Sequence, residues 1–408
     1  MLTNRACPPG FPAGLRRLLA VVLAGLLLLA GACAPEKPSP ESLPPLREVA
    51  PKNWPLFYDD LDPASFQEAC QGSLTYLRRV PPDKKYRFGP DEYTAAEMAS
   101  FITWLSTLLT TYPDPAARTQ ALQERARLYE SVGNDGQGTV LITGYYEPVL
   151  PATRQPAPLY QCPLYMLPAD LVTINLQDFR DDLPDRRLVG RVDNRKVVPY
   201  YDREAIDFEG ALQEKAQVLG YLADPVEAFF LHIQGSGQLK FPDGGRIRVG
   251  FAGTNGHPYR SVGKLLLAEK LMEASSMSMQ GIKAFLEAHP EERRRVLSSN
   301  PSYVFFRPLP AEGGPLGCYD QPLTAARSVA TDRRIFPGLA VGFLTGTRPA
   351  GTSGETALSR FIVNQDTGGA IRGPGRLDLF YGSGDQAGEL AGRTKNLGRL
   401  YFLAPRRG

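Results

Sequence analysis

The chain has 408 residues, 43% hydrophobic and 22% charged, a globular balance with room for two domains or for one domain carrying a large insertion. A net charge of +3, with no basic block beyond "EERRR" (Glu291 to Arg295) and the terminal "RRG", argues against a nucleic-acid surface. Three scattered histidines (His232, His257, His289) and cysteines without ligand spacing call for neither a metal nor a cofactor.

Arg5, Arg16 and Arg17 precede the apolar run from Leu18 to Cys33, which reads as a secretory signal and is too short for a comfortable membrane span. Its end, Leu29-Ala30-Gly31-Ala32-Cys33, resembles the lipobox of bacterial lipoproteins, with Ala30 where that pattern usually has Leu. The resemblance implies a signal peptide over 1–33 and a lipid on Cys33; a plain secretory signal is the alternative. No Asp follows Cys33 to favour inner-membrane retention, so the expected location is the cell envelope, on the periplasmic face of the outer membrane. Cys70, Cys162 and Cys318 are then left, an odd number from which no bridge can be assigned.

Residues 34–51 are rich in proline and charge and read as a flexible tether. "DPASFQEACQGSLTYLRRV" predicts a helix over 62–80, and "TAAEMASFITWLSTLLTTY" another over 94–112, opened by a capping box of Thr94 and Glu97. From about Thr139, short β-branched and aromatic runs separated by Gly, Pro and Asp predict the strands of a barrel or sandwich. They include "TVLITGYYEPVL", "RIRVGFAG" and "AFFLHIQGSGQLKF", the last read as an apolar strand. Helices are expected in "DREAIDFEGALQEKAQVLGYL", "SVGKLLLAEKLM" and "MQGIKAFLEAH". Past "NPSYVFFR" the pattern returns to strands: "SVATD", "LAVGFL", "SRFIVNQD", "RLDLFYG" and "GRLYFLAP".

The chemistry concentrates near the C-terminus, in "QDTGGAIRGPGRLDLFYGSGD" (Gln365 to Asp385). Asp366 ends a strand and is followed by Gly368 and Gly369, which allow close backbone approach. Strand alternation puts Asp378 on one face with Arg376 and Phe380, opposite Leu377 and Leu379. Asp is disfavoured inside an aromatic strand unless that face lines a groove. A carboxyl partly desolvated there has a raised pKa, as a general acid near neutral pH requires. Aromatic side chains beside carboxylates also suit sugar rings. Ser236 near His232 raises a serine-hydrolase reading, but the nucleophile elbow needs G-x-S-x-G opening a helix, and strand residues follow here. Gln234 and Ser236 fit better as hydrogen-bonding partners for a polyhydroxylated ligand.

"GYYEP", "FFLHIQGSGQL", "GTNGHPYRSVGK", "NPSYVFFR" and "DTGGAIRGPGRLDLFYGSG" occur here in the order in which the membrane-bound lytic murein transglycosylase A family has them, and the chain resembles that family from about Tyr145 to Leu403. The resemblance implies a mainly β fold with some helices. A double-psi β-barrel would be built from residues 52–143 and from the three-aspartate region 311–408. A smaller β-barrel-like domain over 144–310 would be inserted between them, with a glycan groove at the junction. It implies Asp378 as catalytic acid, with the other two aspartates, Asp366 and Asp332, in support; the motifs themselves suggest Tyr145, Gln234, Ser236, Gly368, Gly369 and Tyr381 for the sugars. One departure is "FPGLA" (Phe336 to Ala340), where the family usually has Pro-Leu-Gly.

The implied reaction cleaves the β-1,4 bond between N-acetylmuramic acid and N-acetylglucosamine without water, leaving a 1,6-anhydromuramyl end. Peptidoglycan strands and peptidoglycan synthases are the implied partners. A hydrolytic muramidase using both Asp378 and Asp366, and a non-catalytic wall-binding module, are the rival readings.

Overall fold

A computed structural model describes residues 44–310, 313–350 and 354–407. The expected signal peptide, Cys33 and the first part of the expected tether lie outside the described residues. The tether does not extend to 51: Leu46–Val49 forms strand β1, and Leu46 is wholly buried.

Helices α1 (Pro63–Leu77), α2 (Ala95–Ser106), α3 (Leu108–Thr111) and α4 (Pro115–Arg125) follow, with the small hairpin β2 (Lys85–Phe88) and β3 (Asp91–Thr94). Asp62 caps α1 by accepting from the Ser65 N–H, with Pro63 in the first turn. The predicted capping box of α2 is present, with Thr94 and Glu97 each accepting from the other's backbone N–H. Strands β4 (Ala126–Ser131) and β5 (Val140–Glu147) complete the N-terminal part.

The C-terminal part supplies β15 (Ser328–Ala330), β16 (Val341–Pro349), β17 (Glu355–Asp366), β18 (Arg376–Ser383), α10 (Asp385–Arg393) and β19 (Lys395–Pro405). β5 pairs with both β18 and β19, which closes the ring β5-β19-β16-β17-β15-β18 into a six-stranded barrel, with β4 and β1 added outside β19. Two pairings in this ring, β15 with β17 and β18 with β5, are parallel. Val140, Ile142, Val329, Leu377 and Leu379 fill its interior in one core with residues of α1 and α2. Closure leaves none of these six strands with an unpaired edge.

The chain leaves the barrel after Glu147, so β5 belongs to the barrel beyond the expected boundary at 143. The inserted part holds β6 (Val149–Thr153), β7 (Cys162–Tyr165), β8 (Leu171–Asn175), β9 (Arg187–Asp193), β10 (Lys196–Pro199), β11 (Val218–Leu222), β12 (Ser236–Lys240), β13 (Arg246–Thr254) and β14 (Val304–Leu309). Its helices are α5 (Arg203–Asp207), α6 (Pro225–Gln234), α7 (Val262–Ala268), α8 (Met279–Ala288) and α9 (Arg293–Ser298). Six strands run in the order β14-β13-β12-β6-β11-β7, and a bridge from Met166 to Phe306 joins the two edges.

Two elements differ from expectation. Phe229–Gln234 is the second half of a helix, not a strand: Asp224 caps it, Pro225 starts it, and Gly235 ends it at φ 76. The long helix expected over "DREAIDFEGALQEKAQVLGYL" stops at Asp207, and Val218–Leu222 is a strand. Gly210, at φ 69, turns the chain between them.

Candidate active site

Asp378 and Asp366 flank one residue. Ala330 of β15 is paired with Asp378 on one side and with Asp366 on the other. Neighbouring strands lie about 4.8 Å apart, which sets the two aspartate backbones about 10 Å apart at one level of the barrel wall. Asp378 also pairs with Thr143 of β5, whose hydroxyl donates to Asp378 Oδ1. Arg376 Nη2 stands 3.6 Å from the same oxygen. The Asp378 side chain keeps 18% of its exposure, so it is mostly desolvated yet reachable. Burial raises its pKa to about 6, against the opposing pull of Arg376.

Asp366 is held more firmly. Tyr145 donates its hydroxyl to Oδ2 at 2.9 Å, and the Cys318 N–H donates to Oδ1 at 3.1 Å. Burial still raises its pKa to about 6, and the nearby Asp378 carboxylate adds to the rise. The Tyr145 ring lies 5.2 Å from that of Phe380, so Thr143, Tyr145, Asp378 and Phe380 form one continuous outward face. The insert reaches this face through Tyr259, which is close enough to Asp378 and Arg376 for their charges to act on it.

Asp332 is fully buried and plays a different part. Burial alone would raise its pKa, but the Arg334 guanidinium and the Gly373 N–H hold it down at about 2. It thereby clamps the loop that links Asp366 to Asp378. The departure from the family pattern falls just beyond this aspartate: Leu339 takes φ 65, a conformation that costs a non-glycine residue. A Cβ on Gly338 beside it would overlap the Tyr319 hydroxyl, so that ring would have to shift to admit a side chain.

The remaining expected residues are dispersed. Gln234 ends α6 and accepts from the Tyr146 N–H at 3.0 Å, so it anchors β5 beside Tyr145. Ser236 is buried at the start of β12, paired with Gly250. Gly369 is open, with nothing within 4 Å of a Cβ placed there, while one on Gly368 would touch Ile371. Tyr381 does not join Asp378. It lies on the opposite face of β18, packs on Gly144 and accepts from the Thr394 hydroxyl at 2.9 Å. The three described cysteines are free thiols, and no group among the described residues could hold a metal ion.

Sequence reading missed the residue that joins the two parts. Glu147, wholly buried at the end of β5, takes Arg248 of β13 at 2.7 Å, Gln238 of β12 at 2.8 Å and Ser383 of β18 at 2.6 Å. Insert and barrel thus meet on one carboxylate.

Two family models match the chain: the MltA specific insert domain over residues 141–307 and the 3D domain over 327–404. The curated membrane-bound lytic murein transglycosylase A of Vibrio cholerae is 33% identical over 296 residues, 71% of each chain. A membrane-bound lytic murein transglycosylase from Agrobacterium tumefaciens superposes with a TM-score of 0.73 at 32% identity, covering 88% of this chain and 98% of that one. An Escherichia coli MltA structure with bound chitohexaose gives 0.69 at 27% identity, covering 89% and 95%. Both family models and the curated relatives agree: this chain belongs to the membrane-bound lytic murein transglycosylase A family.

Proposed function

We propose that this protein is a lytic transglycosylase that cleaves the β-1,4 bond between N-acetylmuramic acid and N-acetylglucosamine in peptidoglycan, with Asp378 as the single acid and base. Asp378 protonates the glycosidic oxygen. The C6 hydroxyl of the same muramyl residue then attacks the oxocarbenium-like centre and returns its proton to Asp378, closing a 1,6-anhydro ring. The nucleophile is intramolecular, so effective molarities on the order of 10⁵ M or more are available and no water needs activation.

The observation that carries this reading is the unequal treatment of the two raised carboxyls. Asp366 collects donors from Tyr145 and Cys318, which favour its anion, while a second negative charge nearby is disfavoured. Asp378 accepts only at Oδ1, from Thr143, and its side chain keeps 18% of its exposure, so it is the carboxyl with an oxygen left for the substrate. Both oxygens of Asp366 are already engaged, which suits a supporting residue and not a base that must activate water. This disfavours the muramidase. A wall-binding module has no use for two carboxyls raised to about 6.

Tyr145, Gly368 and Gly369 border the same face and serve the glycan; Gln234 and Ser236 act behind it, and Asp332 fixes the loop. A lipid on Cys33 would hold the enzyme at the outer membrane facing the murein, within reach of peptidoglycan synthases. Incubating purified sacculi with wild-type protein and with Asp378→Asn tests the reading. Solubilisation by the wild type alone is expected, and solubilisation by both would remove Asp378 from the chemistry.

A further inference from the structure

The cation beside the acid remains unexplained by proton transfer. Arg376 precedes Asp378 by two residues on β18 and so shares its face. Its guanidinium has five N–H donors, yet its contacts are long: 3.3 Å to the Ala370 carbonyl, 3.4 Å to Thr143 Oγ1 and 3.6 Å to Asp378 Oδ1. Its Nε is shut off from solvent with no acceptor at all. Among the described residues Arg191 and Arg348 also keep a buried Nε without an acceptor, while other arginines are fully engaged. Arg327 spends its N–H donors on Asp59, Ser65, Asp62 and Phe361 at 2.7–3.0 Å. A guanidinium next to a general acid also opposes the protonated form that the acid needs. The side chain keeps 34% of its exposure, so the loosely held Nη donors beside the acid form a fork open to an acceptor on the ligand.

In murein the two sugars alternate and differ only in the 3-O-lactyl group of muramic acid. Its terminal oxygens are a carboxylate on bare strands and an amide carbonyl where a stem peptide is attached. We propose that Arg376 binds this lactyl group on the muramyl residue next to the scissile bond, and so selects which of the two alternating β-1,4 linkages meets Asp378. Tyr259 of the insert, partly exposed, lies within electrostatic reach of Arg376 and Asp378. Bidentate recognition of a planar acceptor is what the arginine fork does best, and lysine does not reproduce it. This inference rests on the transglycosylase reading above.

The test compares ligands with and without the lactyl group in the turnover-blocked Asp378→Asn protein. Calorimetric affinities are measured for chitohexaose, for a muramyl tetrasaccharide with free lactyl carboxylates, and for the same tetrasaccharide bearing stem peptides. Adding Arg376→Gln should leave chitohexaose affinity within about twofold and lower muramyl affinity at least tenfold. The free-carboxylate ligand loses most if the anion is what is read, and the two muramyl ligands lose equally if the carbonyl suffices. Arg376→Lys should recover only part of the loss. An equal fall for chitohexaose and the muramyl ligands, or no fall for either, overturns the proposal. Retained chitohexaose binding reports an intact fold. If wild-type protein released no anhydro ends from sacculi, the transglycosylase reading would fail instead, independently of these affinities.

Discussion

One barrel holds aspartates in two opposite environments. At Asp332 a guanidinium and a backbone N–H meet a buried carboxylate and keep it charged down to about pH 2. At Asp366 and Asp378 burial wins, and the pKa of each is raised to about 6. Burial is common to the three; the donors differ. The comparison teaches that exclusion from water does not by itself fix a carboxyl's charge, and that a cation facing the group squarely does. Arg376, at 3.6 Å from Asp378, stands too far away to do what Arg334 does at 2.6 Å from Asp332.

The largest effect should come from removing the acid. Asp378→Asn is expected to lower turnover of sacculi by about 10³-fold, within the 10²–10⁴ range of general acid catalysis. The same variant should be more stable than wild type at pH 8. A carboxyl whose folded pKa is raised contributes stability below its unfolded pKa, near 4, and loses it as pH rises through about 6. Replacing it by a neutral amide removes that penalty, which thermal melts at pH 5 and pH 8 will reveal as a gap present only at the higher pH. For the wild type, kcat/KM should fall as pH rises past about 6.

Next comes the junction. Glu147→Gln leaves the buried Arg248 guanidinium without its carboxylate, and breaking a buried pair from one side costs about 3–5 kcal/mol. Denaturant unfolding should show that loss, and limited proteolysis should cut between insert and barrel. An unchanged midpoint would mean that the two parts do not depend on this contact.

Asp366→Asn is expected to weaken turnover by about 10–100-fold, less than the loss at Asp378, with anhydro products unchanged, because the amide still accepts one of the two hydrogen bonds. A loss as deep as that of Asp378→Asn would make Asp366 a catalytic partner. The smallest effect belongs to Asp332→Asn. The depressed pKa contributes stability above the unfolded pKa and loses it as pH falls through about 2. Two pKa units set an upper limit of about 2–3 kcal/mol, reduced to about 1–2 because the Arg334 side chain is 65% exposed. The gap between variant and wild type at pH 7 should shrink as the acid limb is approached.

Much of the barrel was readable. The caps of α1 and α2 stand at the Asp-Pro and Thr-x-x-Glu signals, and alternation placed Asp378, Arg376 and Phe380 together, opposite Leu377 and Leu379. The misreading of Phe229–Gln234 arose because an apolar run has no period of its own; its punctuation, Asp224-Pro225 before and Gly235 after, carried the helix signal. Tyr381 was expected beside the sugars, but strand alternation sends it to the other face, against Gly144. Thr143 and Glu147 were not recoverable from local pattern. Their partners Asp378 and Ser383 lie 235 and 236 residues away, and only barrel closure brings them together.

Mass spectrometry of the muropeptides released from sacculi in ¹⁸O-labelled water tests the central claim most directly. A single Asp378 working with the substrate's own C6 hydroxyl predicts products lighter than hydrolytic ones by one water and free of label. Labelled reducing ends would show that water is the nucleophile, and the one-carboxyl mechanism would then be wrong.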